Sequence, residues 1–182
     1  MPGNATAGDM PDWYAPPRMT GGHVTGPVII SRSDGLVVAV RQVLAYPVGC
    51  EIEVEAHARG TAPGGPPPDP GSRTGYSDLR FRLRLADGTD VRQDDETGLH
   101  GGRGPMLVLS GGESSSGGPD GREDLRLTLW TWPLPPAGTL TVVCSWPRRG
   151  LAAADLVLDA DAIRDAAGRA EPFWPEPPTE FP

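Results

Sequence analysis

A chain of 182 residues is long enough to bury a core in one domain, and its net charge of −8 argues against general nucleic-acid binding, which needs a basic face to neutralise phosphates. The 25 glycines and 22 prolines gather at both termini and in three internal stretches, between periodic segments rich in Val, Leu and Trp, so wholesale disorder is excluded. No apolar run approaches the roughly 20 residues that span a bilayer and no basic start leads into a signal-like apolar stretch, so a cytoplasmic protein with no membrane partner is expected.

Residues 1–22 read as a flexible arm, with Trp13 and Tyr14 available to pin it to a single domain over residues 23–172. A first strand is expected from Val24 to Arg32, and Pro27, which cannot donate to a ladder, makes it an edge strand. Ser33-Asp34-Gly35 turns the chain into the apolar run Leu36–Tyr46, where alternation breaks near Arg41-Gln42 in the manner of a β-bulge. After Pro47-Val48-Gly49, Cys50, Ile52, Val54, Ala56 and Ala58 share one strand face; Glu51, Glu53, Glu55, His57 and Arg59 share the other.

Residues 60–75, rich in Pro and Gly, read as a long exposed loop. Arg80, Arg82 and Arg84 then alternate without a slip against Leu79, Phe81, Leu83 and Leu85, which predicts a half-buried antiparallel strand with an outward arginine ladder. Pairing with the acidic Glu51–Glu55 strand is the simplest account of that ladder, each cross-strand ion pair contributing a few tenths of a kcal/mol. Asp87-Gly88 signals a hairpin into Thr89–Gln93. Residues 94–104 read as a polar loop, Met106–Leu109 as a short strand, and Gly111–Gly121 as a loop.

Leu125, Leu127 and Leu129 alternate with Arg126, Thr128 and Trp130 in the next strand, followed by Thr139–Trp146 and Ala153–Leu158. Asp159 is placed to cap a helix carrying Ile163, Ala166, Ala167 and Ala170 on one stripe and ending before Pro172. A proline-rich tail over 173–182 is expected to be anchored by Phe173 and Trp174. Eight or nine short strands and one helix predict an all-β, antiparallel two-sheet β-sandwich, immunoglobulin-like in its layering, with one short C-terminal helix; a small closed barrel is the alternative.

The stretch Trp130-Thr131-Trp132-Pro133-Leu134-Pro135-Pro136-Ala137-Gly138-Thr139-Leu140, with Ser145-Trp146-Pro147, the alanine-rich helix and Trp174-Pro175, resembles a group of uncharacterised actinobacterial proteins that share a W-P-L-P-P-x-G-x-L segment. The resemblance covers roughly the last third of the chain. It implies a fold and an origin, and no activity, cofactor or site residue.

Candidate chemistry is sparse. Cys50 and Cys144 both fall on inward strand faces, as two buried thiols or as an inter-sheet disulfide, and a cytosolic setting favours the thiols. His23, His57 and His100 lack metal-ligand spacing, so no metal or cofactor is expected. Asp87, Asp90, Asp94, Asp95 and Glu96 surround a hairpin and read as turn residues rather than calcium ligands. His100-Gly101-Gly102 and Ser114, Ser115 and Ser116 do not assemble a hydrolase, because no G-x-S-x-G turn exists. Gly101–Gly104 is no phosphate loop. All 16 basic residues are arginine, as a GC-rich genome or selection for bidentate contacts would give. Two surfaces remain as candidates: Arg80, Arg82 and Arg84 for interaction, and Trp130, Trp132 and Arg126, on the face opposite the leucines, for a ligand unless the C-terminal segment covers them. The reading is a non-enzymatic interaction or structural module for an unknown protein partner, with no nucleic acid and an open oligomeric state; the alternative is a carbohydrate-binding module.

Overall fold

The computed structural model describes residues 13–16, 18–60, 78–93, 104–117 and 121–174. In chain order the strands are β1 (Met19–Thr20), β2 (Gly22–Thr25), β3 (Val28–Ser33), β4 (Leu36–Tyr46), β5 (Gly49–Ala58), β6 (Arg80–Leu85), β7 (Asp90–Arg92) and β8 (Met106–Gly117). They continue as β9 (Arg122–Trp132), β10 (Thr139–Trp146) and β11 (Leu151–Asp159), then helix α1 (Ala160–Ala167) and β12 (Glu171–Pro172). The architecture is the all-β sandwich with one C-terminal helix that the periodicity predicts.

Two-residue alternation sorts the side chains. On β5, Cys50, Ile52, Val54, Ala56 and Ala58 are buried while the glutamates between them reach solvent. On β6, Leu83 is fully buried and Phe81 nearly so, whereas Arg80 and Arg84 are exposed. One sheet runs β2-β4-β5-β9-β8, with β3 also paired to β4; the other runs β11-β10-β6-β7, and neither closes on itself as a barrel would. Ile52, Val54, Leu127 and Leu129 of the first share a single core with Leu83, Val142 and Cys144 of the second. A parallel bridge between Gln93 and Leu107 ties the two sheets along one edge.

An ion pair adds a second tie. Arg149, in the 3-10 turn Pro147–Arg149 after β10, places Nη2 2.6 Å from Glu123 Oε2 at the start of β9, with both side chains largely buried. Its Nη1 donates to Gly60 O at 2.9 Å, and the guanidinium lies 5.8 Å from the Trp146 ring centroid. Removing either partner leaves a charge stranded away from water, which is the costly case for a buried pair.

Helix α1 forms where the sequence places it. Asp159 Oδ1 accepts from the Asp161 and Ala162 amides at 2.9 and 3.2 Å, satisfying donors that the first turn leaves open. Ile163, Ala166 and Ala167 enter the common core. The helix sits so close to β2 that a Cβ on Gly22 would lie 1.8 Å from Ala166 O, so only glycine fits there.

Four expectations are corrected. The first strand is two, β2 and β3, broken at Gly26-Pro27 opposite the bulge that shifts the β4 register between Val40 and Gln42. The expected loop after Leu109 is strand as far as Gly117, with a register shift between Leu109 and Gly111; pairing with β9 outweighs the poor strand propensity of Gly and Ser. The arginine strand does not lie beside the acidic strand: β6 is held between β10 and β7, and β5 between β4 and β9, in different sheets. Phe173 and Trp174 do not anchor the tail, being 56% and 68% exposed. The expected loops at 61–75 and 94–103 lie outside the described residues.

Burial parity sets the mutational response of β6. Leu83→Ala should cost about 2–5 kcal/mol in urea denaturation, and Arg84→Ala less than about 0.5 kcal/mol. Both cysteines are free and buried, and burial pushes Cys50 up to about 12 and Cys144 to about 11 from an ordinary 9.0. The folded chain keeps protons that the unfolded chain releases, so stability is full below pH 9 and falls as pH rises from there through the folded values. Iodoacetamide should leave both thiols unmodified in the native protein at pH 8 and label both in urea, as read by mass spectrometry.

Candidate functional site

The outer face of the four-stranded sheet carries the arginine ladder. Arg80, Arg82 and Arg84 stand about 7 Å apart along β6, the spacing of alternate strand residues. Across β7, Arg82 faces Arg92 and Arg84 faces Asp90; across β10, the three arginines face Ser145, Val143 and Thr141 in turn. Arg82 Nε lies 3.5 Å from Asp90 Oδ1, while Arg80, Arg84 and Arg92 have no ion pair among the described residues. Like charges set opposite each other on a strand pair cost stability, so the Arg82–Arg92 juxtaposition does not itself hold the sheet together. On the far edge β11 adds Asp155 and Val157, the latter 62% exposed.

The outer face of the six-stranded sheet carries the aromatic pair. Trp130 and Trp132 oppose the inward leucines as parity requires, yet Trp130 is only 3% exposed. The cover is the N-terminal segment and not the C-terminal tail: Trp130 Nε1 donates to Trp13 O at 2.8 Å, and Trp13, Ala15 and Met19 pack on a cluster of Tyr46, Met106 and Trp130. Tyr46 and Trp130 meet edge to face with centroids 5.8 Å apart. A Cβ on Gly49 would lie 2.7 Å from the Trp130 ring and 2.4 Å from Thr131 O. Trp132, partly buried, joins the rim of this cluster, and Arg126 is exposed on β9 between Glu55 and Glu113. Trp130 therefore offers no open ring to a ligand. Beneath the cover, burial and the neighbouring Glu53 hold the Glu51 carboxyl above its ordinary range, and burial with Glu51 and Glu53 does the same for the Tyr46 hydroxyl.

A third feature escaped the sequence reading. The β3–β4 turn, the end of β5 and the start of β9 border an open cleft of about 1100 Å³ lined by Arg32, Asp34, Val37, His57, Arg59, Arg122 and Asp124 among others. His57 Nδ1 donates to Asp124 Oδ1 at 2.7 Å, leaving Nε2 3.9 Å from Glu55 Oε2. Arg122 Nε lies 3.1 Å from Asp124 Oδ2, and these two contacts, the His57 bond first, hold the Asp124 carboxyl below its ordinary range. Arg59 Nη2 meets Asp34 Oδ1 at 2.9 Å. Both His57 and Asp124 are visible in the sequence as outward residues; what was hidden is that β5 and β9 are neighbours, which sets the two side by side.

Among the described residues no nucleophile joins this His-Asp pair. Ser115 sits across Asp124 from His57, two strands away and roughly 10 Å off at ordinary strand spacing. Ser114 is on the opposite parity. Asp87 caps its own turn by accepting from the Thr89 amide at 2.9 Å, and hydrogen bonds from Thr89 hold its carboxyl low. Asp94, Asp95, Glu96, His100 and the glycines after it lie outside the described residues. Among the described residues no three His, Cys, Asp or Glu side chains gather as metal ligands, and no helix is long and apolar enough to cross a membrane.

Comparison with family models, with curated proteins and with solved structures gives no match. The close fit at Gly49 yields a direct test of the aromatic cluster. Gly49→Ala should destabilise the protein by about 2–4 kcal/mol in urea denaturation and red-shift its tryptophan emission, because the ring of Trp130 has nowhere to retreat.

Proposed function

We propose that the protein is a non-catalytic interaction module that docks an acidic surface of a protein partner on the arginine face of its smaller sheet. One observation carries the reading: Arg80, Arg84 and Arg92 stand on that face without an ion pair among the described residues, in a chain whose net charge is −8. Guanidinium groups present paired donors that match carboxylates, and a rigid sheet holds them at fixed spacing, so little conformational freedom is lost on docking. The acidic balance of the whole chain favours a protein partner over nucleic acid. A cytoplasmic setting suits the two buried free thiols.

The test uses a fluorescein-labelled decapeptide of alternating Glu and Thr, an extended strand with carboxylates at the spacing of the ladder. Anisotropy should show saturable binding at low ionic strength that weakens steeply as salt is added. Replacing Arg80, Arg82 and Arg84 together by Gln should weaken it by about tenfold or more with the far-ultraviolet circular dichroism unchanged. Equal affinity in the triple variant would sink the proposal.

A further inference from the structure

The cleft beside His57 is chemically unlike the glutamate-rich outer face of β5 next to it. Among the described residues its lining holds three guanidinium groups, Arg32, Arg59 and Arg122, and one imidazole, against two carboxylates, Asp34 and Asp124. Both carboxylates are already engaged, Asp34 by Arg59 and Asp124 by His57 and Arg122. Arg32 is exposed and has no ion pair among the described residues. The surplus in the cleft is therefore positive.

The three arginines come from different elements. Arg32 lies on β3, where its backbone is paired with that of Val37 on β4; Arg59 directly follows β5, and Arg122 opens β9. In the same row across the outer face, Val37 is paired in turn with His57 and His57 with Asp124, so Val37 is the apolar floor between Arg32 and the imidazole. Asp124 holds the ring by accepting from Nδ1, and Nε2 lies 3.9 Å from Glu55 Oε2 at the edge of the site. The Arg59–Asp34 pair is 74% and 97% exposed and Arg122 is 69% exposed, so water competes for these contacts and the guanidiniums are free to turn toward a better acceptor.

We propose that this cleft binds a phosphate monoester carried on a small apolar group. A carboxylate is planar and is satisfied by one bidentate guanidinium, whereas a phosphate group offers three strong acceptor oxygens in three directions, which matches donors on three separate segments of the chain. The cleft is a shallow, open one with room for a small molecule, and Val37 gives the apolar part a seat between charged side chains. The site uses none of the residues of the arginine ladder, so it stands or falls apart from the docking face.

Isothermal titration at low ionic strength with phenyl phosphate, inorganic phosphate and benzoate tests the assignment. Phenyl phosphate should bind at one site per chain, with inorganic phosphate weaker and benzoate weaker by about tenfold or more. Arg32→Gln and Arg122→Gln should each reduce phenyl phosphate affinity by about tenfold, while the triple Gln variant of Arg80, Arg82 and Arg84 binds as the parent does. Arg32 lies exposed outside the ion pairs, so its variant keeps the test decisive even if Arg122→Gln fails to fold. Absence of saturable binding, equal affinity for benzoate, unchanged affinity in Arg32→Gln, or loss in the ladder variant would each overturn the proposal.

Discussion

Sealing the apolar face of one sheet against that of the other is the contact on which the rest of the molecule depends. Ile52, Val54, Leu127 and Leu129 meet Leu83, Val142 and Cys144 in one core, and helix α1 adds Ile163, Ala166 and Ala167 to it. Because side chains alternate strictly along each strand, burying one set obliges the other set to face outward. The arginines of β6 and the glutamates of β5 are thus on the surface for the same reason that Phe81 and Ile52 are not. Slipping either strand by one residue would bring a row of charges into the interior, so register and burial enforce each other.

That constraint leaves two chemically different outer faces. The smaller sheet presents arginines with few partners, and the larger presents acids, of which Glu53 is answered by neighbours: Gln42 Nε2 donates to Glu53 Oε1 at 2.8 Å, and Arg41 approaches Glu53 at 4.0 Å. The larger face is further divided. At one end Trp130, Tyr46 and Met106 are closed under the N-terminal segment; at the other His57, Asp124 and the surrounding arginines are open. The open part of the larger face therefore lies where the strands end rather than where the aromatic residues are.

Much of the fold was legible because its strands are amphipathic. Leu36–Tyr46 and Thr139–Trp146 have the bounds that their patterns suggest, and the cap at Asp159 is where a carboxylate would be sought. Ser110–Gly117 was not legible, since glycine and serine carry no pattern and the ladder of β9 alone makes that segment a strand. Strand neighbours were not legible either. Periodicity tells which way Arg82 and Glu53 point and says nothing of which strand lies next to which, and that is why the arginine ladder was matched with the wrong partner and the His57–Asp124 contact went unseen. The cover on Trp130 failed to show for a related reason: the residue that closes it, Trp13, is 117 positions away.

The clasp between β1 and β12 has a mechanical corollary. Met19 lies opposite Pro172 and Thr20 opposite Glu171, antiparallel, so both flanking segments leave the pair at the same end. Tension applied to those segments would open the clasp one bond at a time, the geometry of a zip rather than of shear, beginning with the bond from the Phe173 amide to Arg18 O at 2.9 Å. Trp13 belongs to the segment so released, and its departure would bare the indole of Trp130 while the two sheets stay closed on each other. Stretching would expose an aromatic patch well before it unfolded the core.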